Sequence, residues 1–311
     1  MQVYNDKSNF KIAESVLTIG TFDGLHLGHQ QIISKVIKVA EEKKLTSVVV
    51  TFDPHPRAVV SKDYNMQLLA TLDEKKILFE ELKIDNLFVI NFTMEFAKIS
   101  SDDFVKNYLI DKLNAKHVVI GYDHKFGKNR NGDKSTLKEF GIKYGFDVTC
   151  MDEFQSEGDT ISSTVIRNLL QTGEVDTANS YLGRNYSFFG KVVEGAKRGR
   201  EIGFPTANIE IDNPYKLVPA NGVYIVKASL DNQSLYGIMN IGIRPTFENE
   251  NNKVIEMHIF DFNKNIYGKE IKIEFIKRIR SEKKFNSKEE LINQITKDKN
   301  FAEEFLSKLI N

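Results

Sequence analysis

Between residues 16 and 170 short apolar runs alternate with longer amphipathic stretches, and no other feature of the chain narrows its fold as far. The runs are VLTIG (16 to 20), SVVVTF (47 to 52), LFVINF (87 to 92), HVVIG (117 to 121) and FDVTCM (146 to 151). Strands that are apolar throughout, spaced far enough apart for intervening helices, describe a parallel sheet covered on both faces, an α/β fold. The helices carry their own signatures. After Gly28, residues Ile33, Val36, Ile37 and Ala40 recur at helical spacing, and Thr71 followed by Glu74 predicts a capping box on a later helix.

Beyond Arg184 the rhythm changes to β-rich runs punctuated by Gly, Pro and Asn: FFGKVV, NGVYIVKASL, LYGIMNIG, VIEMHIFDF and IKIEFI. That pattern predicts an antiparallel sheet or small barrel. A final helix is expected from Ser287, with Glu290 as capping partner and Leu291 and Ile295 on one face. The expected domains are therefore residues 1–183 and 184–311, consistent with a length of 311 residues that exceeds one hydrophobic core.

Composition excludes several classes. The 43 Lys/Arg and 43 Asp/Glu residues cancel, so the one-signed field of non-specific nucleic-acid binding is missing and small-molecule partners are expected. No apolar run approaches the roughly 20 residues of a membrane span, and MQVYNDKSNF has no secretory or transit pattern, so a cytoplasmic protein is expected. The single Cys150 excludes an intrachain disulfide, and within FDVTCM it reads as a buried strand thiol.

The segment GTFDGLHLGHQ, Gly20 to Gln30, follows a strand and opens a helix, where α/β sheets place their ligands. Gly20 and Gly24 permit tight turns and close backbone approach, while Gly28 lets the helix start press close. His26 and His29 share a side across the first turn. Two imidazoles there can donate to the charge that grows on a phosphate during in-line displacement; the plainer reading is a pair of surface or capping histidines. Further motifs follow in order. FDPHP (52 to 56) stiffens a post-strand loop around His55, GYDHKFG (121 to 127) sets Asp123 at a strand end, and ISSTVIR (161 to 167) opens a short helix closed by Gly173. The free N–H groups of that helix, with Arg167, suit an anion. Each also has a bland reading as a turn or a cap.

On these motifs residues 16 to 170 resemble the adenylyltransferase module of prokaryotic bifunctional riboflavin kinase/FMN adenylyltransferases, also called FAD synthetases. The resemblance implies a Rossmann-like nucleotidyltransferase domain in which His26 and His29 stabilise the transferring α-phosphate of ATP. It further implies nucleotide contacts from Gly20, Phe22, Asp23, Gly24 and Asp123, phosphate contacts from Ser163, Thr164 and Arg167, and flavin or loop support from His55. His124 stands where the family commonly has Phe.

In the second part, GKVVEGAKRGREIGFPTAN (190 to 208) places Gly195, Gly199 and Gly203 among Lys197, Arg198 and Arg200, a loop able to bend around phosphates. Thr206 and Asn208 offer neutral oxygens of the kind that share Mg²⁺ with ATP. In VIEMHIFDF, Glu256 alternates with Ile255 and Met257 and so points away from the apolar face, either as an ordinary outward Glu or as a base facing a cleft. GFPTAN, NGVY (221 to 224), NIGIRPTF (240 to 247), Glu256 and RSEKKF (280 to 285) together resemble the riboflavin kinase module. That resemblance implies a Greek-key barrel, Gly195, Gly203, Thr206 and Asn208 binding ATP with Mg²⁺, Glu256 as the base, and Arg280 in a flavin-side loop. The whole chain is thus expected to use ATP, riboflavin and FMN as substrates and to release FMN, FAD and pyrophosphate, with the flavins as substrates and products rather than prosthetic groups. Two rivals stay open at this stage: a chain with one active module, including transfer of another nucleotide, and a flavin-binding regulator without turnover.

Overall fold

A computed structural model describes residues 1–8, 10, 12–61, 67–128, 132–156, 159–195, 198–231, 233–243 and 253–310. Lys197 and the stretch 244–247 of NIGIRPTF lie outside the described residues. The chain divides into two compact units, Met1–Ser163 and Thr164–Asn311, a break earlier than the 183/184 expected from the change of rhythm.

The first unit is built on a parallel sheet. Strands β1 (Gln2–Asn5), β2 (Ser15–Ile19), β3 (Thr46–Asp53), β4 (Asn86–Asn91), β5 (Ala115–Ile120) and β6 (Asp147–Cys150) lie in the order β1-β4-β3-β2-β5-β6. Alternate residues of each strand serve opposite faces. Leu17, Val48, Val50 and Val118 join one core, while Val16, Val49, Leu87 and Val119 join the other, which is why these strands read as unbroken apolar runs. Helices α1 (Leu27–Lys43) and, beyond the short α2 (Pro56–Val60), α3 (Leu72–Glu81) cover the second face. Thr71 and Glu74 form the expected reciprocal capping box on α3. Helix α4 (Ser101–Phe104), a π-helical turn Val105–Ile110 and α5 (Lys134–Tyr144) cover the first face. A two-stranded ribbon, β7 (Gln155–Ser156) with β8 (Asp159–Thr160), follows β6, in which Cys150 is half-buried.

The second unit opens with α6 (Ser163–Thr172), whose first residue closes the preceding unit, and α7 (Val175–Leu182). Strands β9 (Tyr186–Val193), β10 (Ala207–Glu210), β11 (Gly222–Leu230), β12 (Gln233–Ile243), β13 (Lys253–Ile259) and β14 (Glu270–Arg280) close into an antiparallel barrel, with the short α8 (Arg198–Glu201) between β9 and β10. The order β10-β13-β12-β11-β14-β9 sets β14 beside β11 after the meander β11-β12-β13, which is the Greek key. Aromatic rings fill the interior: Tyr186, Phe188 and Tyr224 all pack on Phe275. Helix α9 (Lys288–Ile310) lays Ala302 and Leu306 over Val223, Ile225 and Ile238 on the outer wall. Its start matches the expectation in altered form. The Ser287 hydroxyl accepts from the Glu290 N–H at 3.2 Å, but the Glu290 carboxylate accepts from the Asn286 N–H, one residue earlier than a capping box requires.

Candidate functional site

Strand order reverses between β2 and β5, so the crevice beyond their carboxyl ends is the switch point where such sheets bind ligands. The loop 20–26 leaves β2 and the loop 121–127 leaves β5, which brings two of the sequence motifs to one edge. Three residues of the first loop are left-handed: Phe22 (φ 47°), Gly24 (φ 80°) and Leu25 (φ 42°). Burial holds the two that are not glycine, since Phe22 and Leu25 are 2% and 1% exposed. A Cβ at Gly20 would come within 3.0 Å of the Phe22 ring, so the absence of a side chain there seats the ring.

Helix α1 begins at Leu27, which makes His26 its N-cap and puts His29 in the first turn. Their rings stack at 3.7 Å between centroids and 22° between planes, and Phe22 meets His29 edge-on at 5.2 Å. Gly28 leaves room for this pair, because a Cβ there would lie 3.3 Å from the His26 ring. Asp23 is buried. Its two carboxylate oxygens accept from the Leu69 and Ala70 N–H groups at 3.2 and 3.0 Å, and its carbonyl accepts from the Ser163 hydroxyl at 2.8 Å. Asp23 and Ser163, both expected at ATP, brace the loop in this structure.

His55 is the N-cap of α2, where its Nδ1 accepts from the Arg57 N–H at 3.2 Å, an arrangement that leaves the proton of the neutral ring on Nε2. Asp123 is exposed at the sheet edge beside Tyr122, whose hydroxyl is pushed up to about 12 by its hydrogen bond to Glu153 and by burial. His124 stacks on Phe126 at 5.8 Å and 22°, so the imidazole occupies an aromatic packing position. Sequence reading missed the rings beyond it. Phe126 meets Phe104, Phe104 stacks on Tyr108, and Phe96 links Tyr108 to Phe52 and Phe92, a continuous aromatic wall at the ends of β3, β4 and β5. The π-helical turn supplies Tyr108, and such turns recur at functional sites. Thr164, exposed, and Arg167, half-buried, belong to the second unit on α6, which Gly173 closes at φ 86°.

In that unit the motif residues line one outer strip of the barrel. Glu256 pairs in register with Asn208 on one side and with Asn240 on the other, so the three side chains share a row across β10, β13 and β12. Glu256 is half-buried between the buried Ile255 and Met257 on the opposite face, as the alternation required. A Cβ at Gly195 would fall 2.0 Å from the Asn208 Nδ2 and would push that side chain aside, so the glycine lets Asn208 lie against the loop. A Cβ at Gly199 would lie 2.3 Å from the Phe204 carbonyl and 3.1 Å from the Thr206 hydroxyl, while Gly203 turns at φ 85°. The 198–206 stretch is thus folded against itself, and His258 fastens it: its Nδ1 lies 2.9 Å from the Pro205 carbonyl and its ring meets Phe204 edge-on.

Arg280, expected in a flavin-side loop, is the last residue of β14 and turns its guanidinium to α9. Its Nε and Nη2 donate to Asp298 at 2.8–3.1 Å, Asp298 is 3% exposed, and Gln294 donates to the same carboxylate. Its backbone continues into the segment whose Glu282 accepts from Asn221 at 3.4 Å and lies over Gly242, which joins the NGVY, NIG and RSEKKF motifs. Arg280→Met strands the buried Asp298 carboxylate and is expected to cost about 3 kcal/mol. Calorimetry of the full chain should show the second unit melting about 10 °C lower, and most of that loss should return in Arg280→Met/Asp298→Leu.

Among the described residues no group of His, Cys, Asp and Glu suits a metal cage. Thr206 and Asn208 fit a cation in another way, as neutral oxygens able to share Mg²⁺ with nucleotide phosphates, since that ion keeps several waters and needs few protein ligands.

A family model described as FAD synthetase matches residues 9–165, and one described as riboflavin kinase matches residues 182–306. Among curated proteins, the bifunctional riboflavin kinase/FMN adenylyltransferase of Bacillus subtilis is 43% identical over 96% of this chain and 94% of its own. Its counterpart in Listeria monocytogenes is 40% identical over 94% and 93%, and that of Escherichia coli K12 is 35% identical over 93% and 92%. Among solved structures, a Streptococcus pneumoniae protein described as a macrolide-efflux protein superposes with a TM-score of 0.87 at 30% identity, covering 96% of this chain and 97% of that one. No helix among the described residues here is long and apolar enough to cross a membrane.

Proposed function

The chain belongs to the bifunctional riboflavin kinase/FMN adenylyltransferase family, and from that premise we propose that its second unit phosphorylates riboflavin with ATP to FMN and its first unit adenylylates FMN with a second ATP to FAD and pyrophosphate. The observation that carries this division of labour is the separation of the motif sets. His26 and His29 lie in the first unit, and Thr206, Asn208 and Glu256 in the second.

In the kinase step the ribityl 5′-hydroxyl attacks the γ-phosphorus, the bond from that phosphorus to the β,γ-bridging oxygen breaks, and ADP leaves. The nucleophile carries a proton. Glu256 accepts it from its place in the row with Asn208 and Asn240. Thr206 and Asn208 would hold Mg²⁺ on the ATP, and the ion when bound offsets phosphate charge. Gly195 and Gly203 let the backbone approach the nucleotide.

In the adenylyl step an FMN phosphate oxygen attacks the α-phosphorus, and pyrophosphate leaves as the bond to the α,β-bridging oxygen breaks. A phosphate monoester with a second pKa of about 6 is already mostly a dianion at neutral pH, so no base is needed. What the step lacks is stabilisation of the charge growing on the α-phosphate, and the stacked imidazoles at the N-terminus of α1 supply donors where the helix dipole also favours an anion. Gly20, Phe22, Asp23 and Gly24 shape that pocket, Asp123 is assigned to the nucleotide and Ser163 to its phosphates, and His55 supports the neighbouring loop. Thr164 and Arg167 are assigned to ATP phosphates by their place in the ISSTVIR motif. The half-buried rings of Phe52, Phe92, Phe96 and Tyr108 suit the flavin ring, because flat π surfaces stack, while Phe104 and Phe126 back them from the core.

The test is product analysis. The full chain given riboflavin, ATP and Mg²⁺ is expected to form FMN, ADP, FAD and pyrophosphate, each identified by mass spectrometry. Tight flavin binding without any of these products would sink the proposal.

A further inference from the structure

We propose that Lys75 is a positioning residue for adenylyl transfer, which holds the Thr21 carbonyl and so fixes the loop that presents His26 and His29. The inference rests on the reading that these histidines act on the α-phosphate. Lys75 lies on the first turns of α3, in the run LDEKKILFEE, yet it is 5% exposed. Its ammonium reaches across the sheet's second face and donates to the Thr21 carbonyl at 3.2 Å and to the Thr51 hydroxyl at 3.4 Å. Thr51, fully buried on β3, donates to the same carbonyl at 3.3 Å.

Helix α3 and its lead-in therefore grip three consecutive residues of the loop by three kinds of contact. Lys75 takes the Thr21 carbonyl, the Phe79 ring meets Phe22 edge-on at 5.9 Å, and the Leu69 and Ala70 amides take the Asp23 carboxylate. Phe22 is in turn the residue against which the His29 ring rests. Burial lowers the Lys75 pKa, and Asp23 and Asp53 oppose that shift through their charge. Burying an ammonium is costly, and an apolar side chain of similar length would fill the same space without that cost. The cation is explained by what it orients. An ammonium brings several donors to one point, so it can bind a loop carbonyl and a strand hydroxyl together and tie the left-handed segment to the rigid sheet.

Lys75→Met in the full chain tests this. FMN adenylylation is expected to lose about tenfold or more in kcat, as misplacement of a reacting group does, with the KM for ATP little changed and riboflavin phosphorylation unaltered. The melting temperature should hold or rise, and the ring ¹H–¹³C signals of His26 and His29 should shift. Thr51→Val, which removes one of the two oxygens that Lys75 holds, should give a smaller loss with the same imidazole signature, and it serves if Lys75→Met does not fold. Unshifted imidazole signals with unchanged kcat would overturn the proposal, as would a loss of kcat that merely follows a lowered melting temperature. A wild-type chain that forms no FAD would instead overturn the reading of the first unit, while the imidazole signals would still decide whether Lys75 sets the loop.

Discussion

Glu256→Gln is expected to reduce FMN formation from riboflavin by two to four orders of magnitude, roughly the range for losing a positioned general base. The substitution keeps the size of the side chain and a polar end, so the row with Asn208 and Asn240 and the packing of Ile255 and Met257 on the other face stay intact. What disappears is the ability to accept the ribityl proton. FAD formation from supplied FMN should continue at the wild-type rate, because that step removes no proton from its nucleophile and uses the other unit. Coupled assays for ADP and for pyrophosphate on the same preparation would measure both. Kinase activity within a few-fold of wild type would return Glu256 to the status of an ordinary outward strand residue.

The converse is expected of His29→Ala, with FAD formation falling by about two to three orders of magnitude, the range for removing one preorganised donor at a developing anion. His26 cannot substitute for it. Each ring packs on the other, and removal of one takes away both a donor and the surface that orients the remaining imidazole. His26→Ala/His29→Ala should therefore be little worse than either single variant, since residues acting as one unit are not additive. Riboflavin phosphorylation should be untouched. A loss of both products in equal measure, followed by chromatography, would show that the units do not work separately.

Much of the frame was legible because it rests on local pattern. Each of the apolar runs from VLTIG to FDVTCM became a strand of the parallel sheet, and the alternation in VIEMHIFDF placed Glu256 opposite the core. β1 was not legible: QVYN is short and mostly exposed, and only its parallel pairing with β4 makes it a strand. Side-chain commitments made across the fold were equally hidden. Nothing in the local pattern of LDEKKILFEE marks Lys75 as buried, or sets Arg280 against a helix, until α3 and α9 bring their partners to them. His258 shows only as the outward partner of Glu256 in an alternating strand, and nothing in the local pattern says that Pro205 lies beside it. The aromatic wall needs residues drawn from segments 52 to 126, so no window of sequence contains it.

Helix α6 matters to anyone who wishes to express the halves apart. Its last carbonyls are bound by the barrel, since Arg278 donates to Thr172 and Ala220 to Leu170, and α7 behind it ties Asn179 to Phe275 and Tyr186. A fragment ending at residue 183 takes both helices away from the strands they brace, while one ending at 163 discards Thr164 and Arg167 from the amino-terminal piece. On the roles proposed for Thr164 and Arg167, no single cut leaves both halves whole, so a gene split into independent kinase and transferase parts would have to copy this stretch into both.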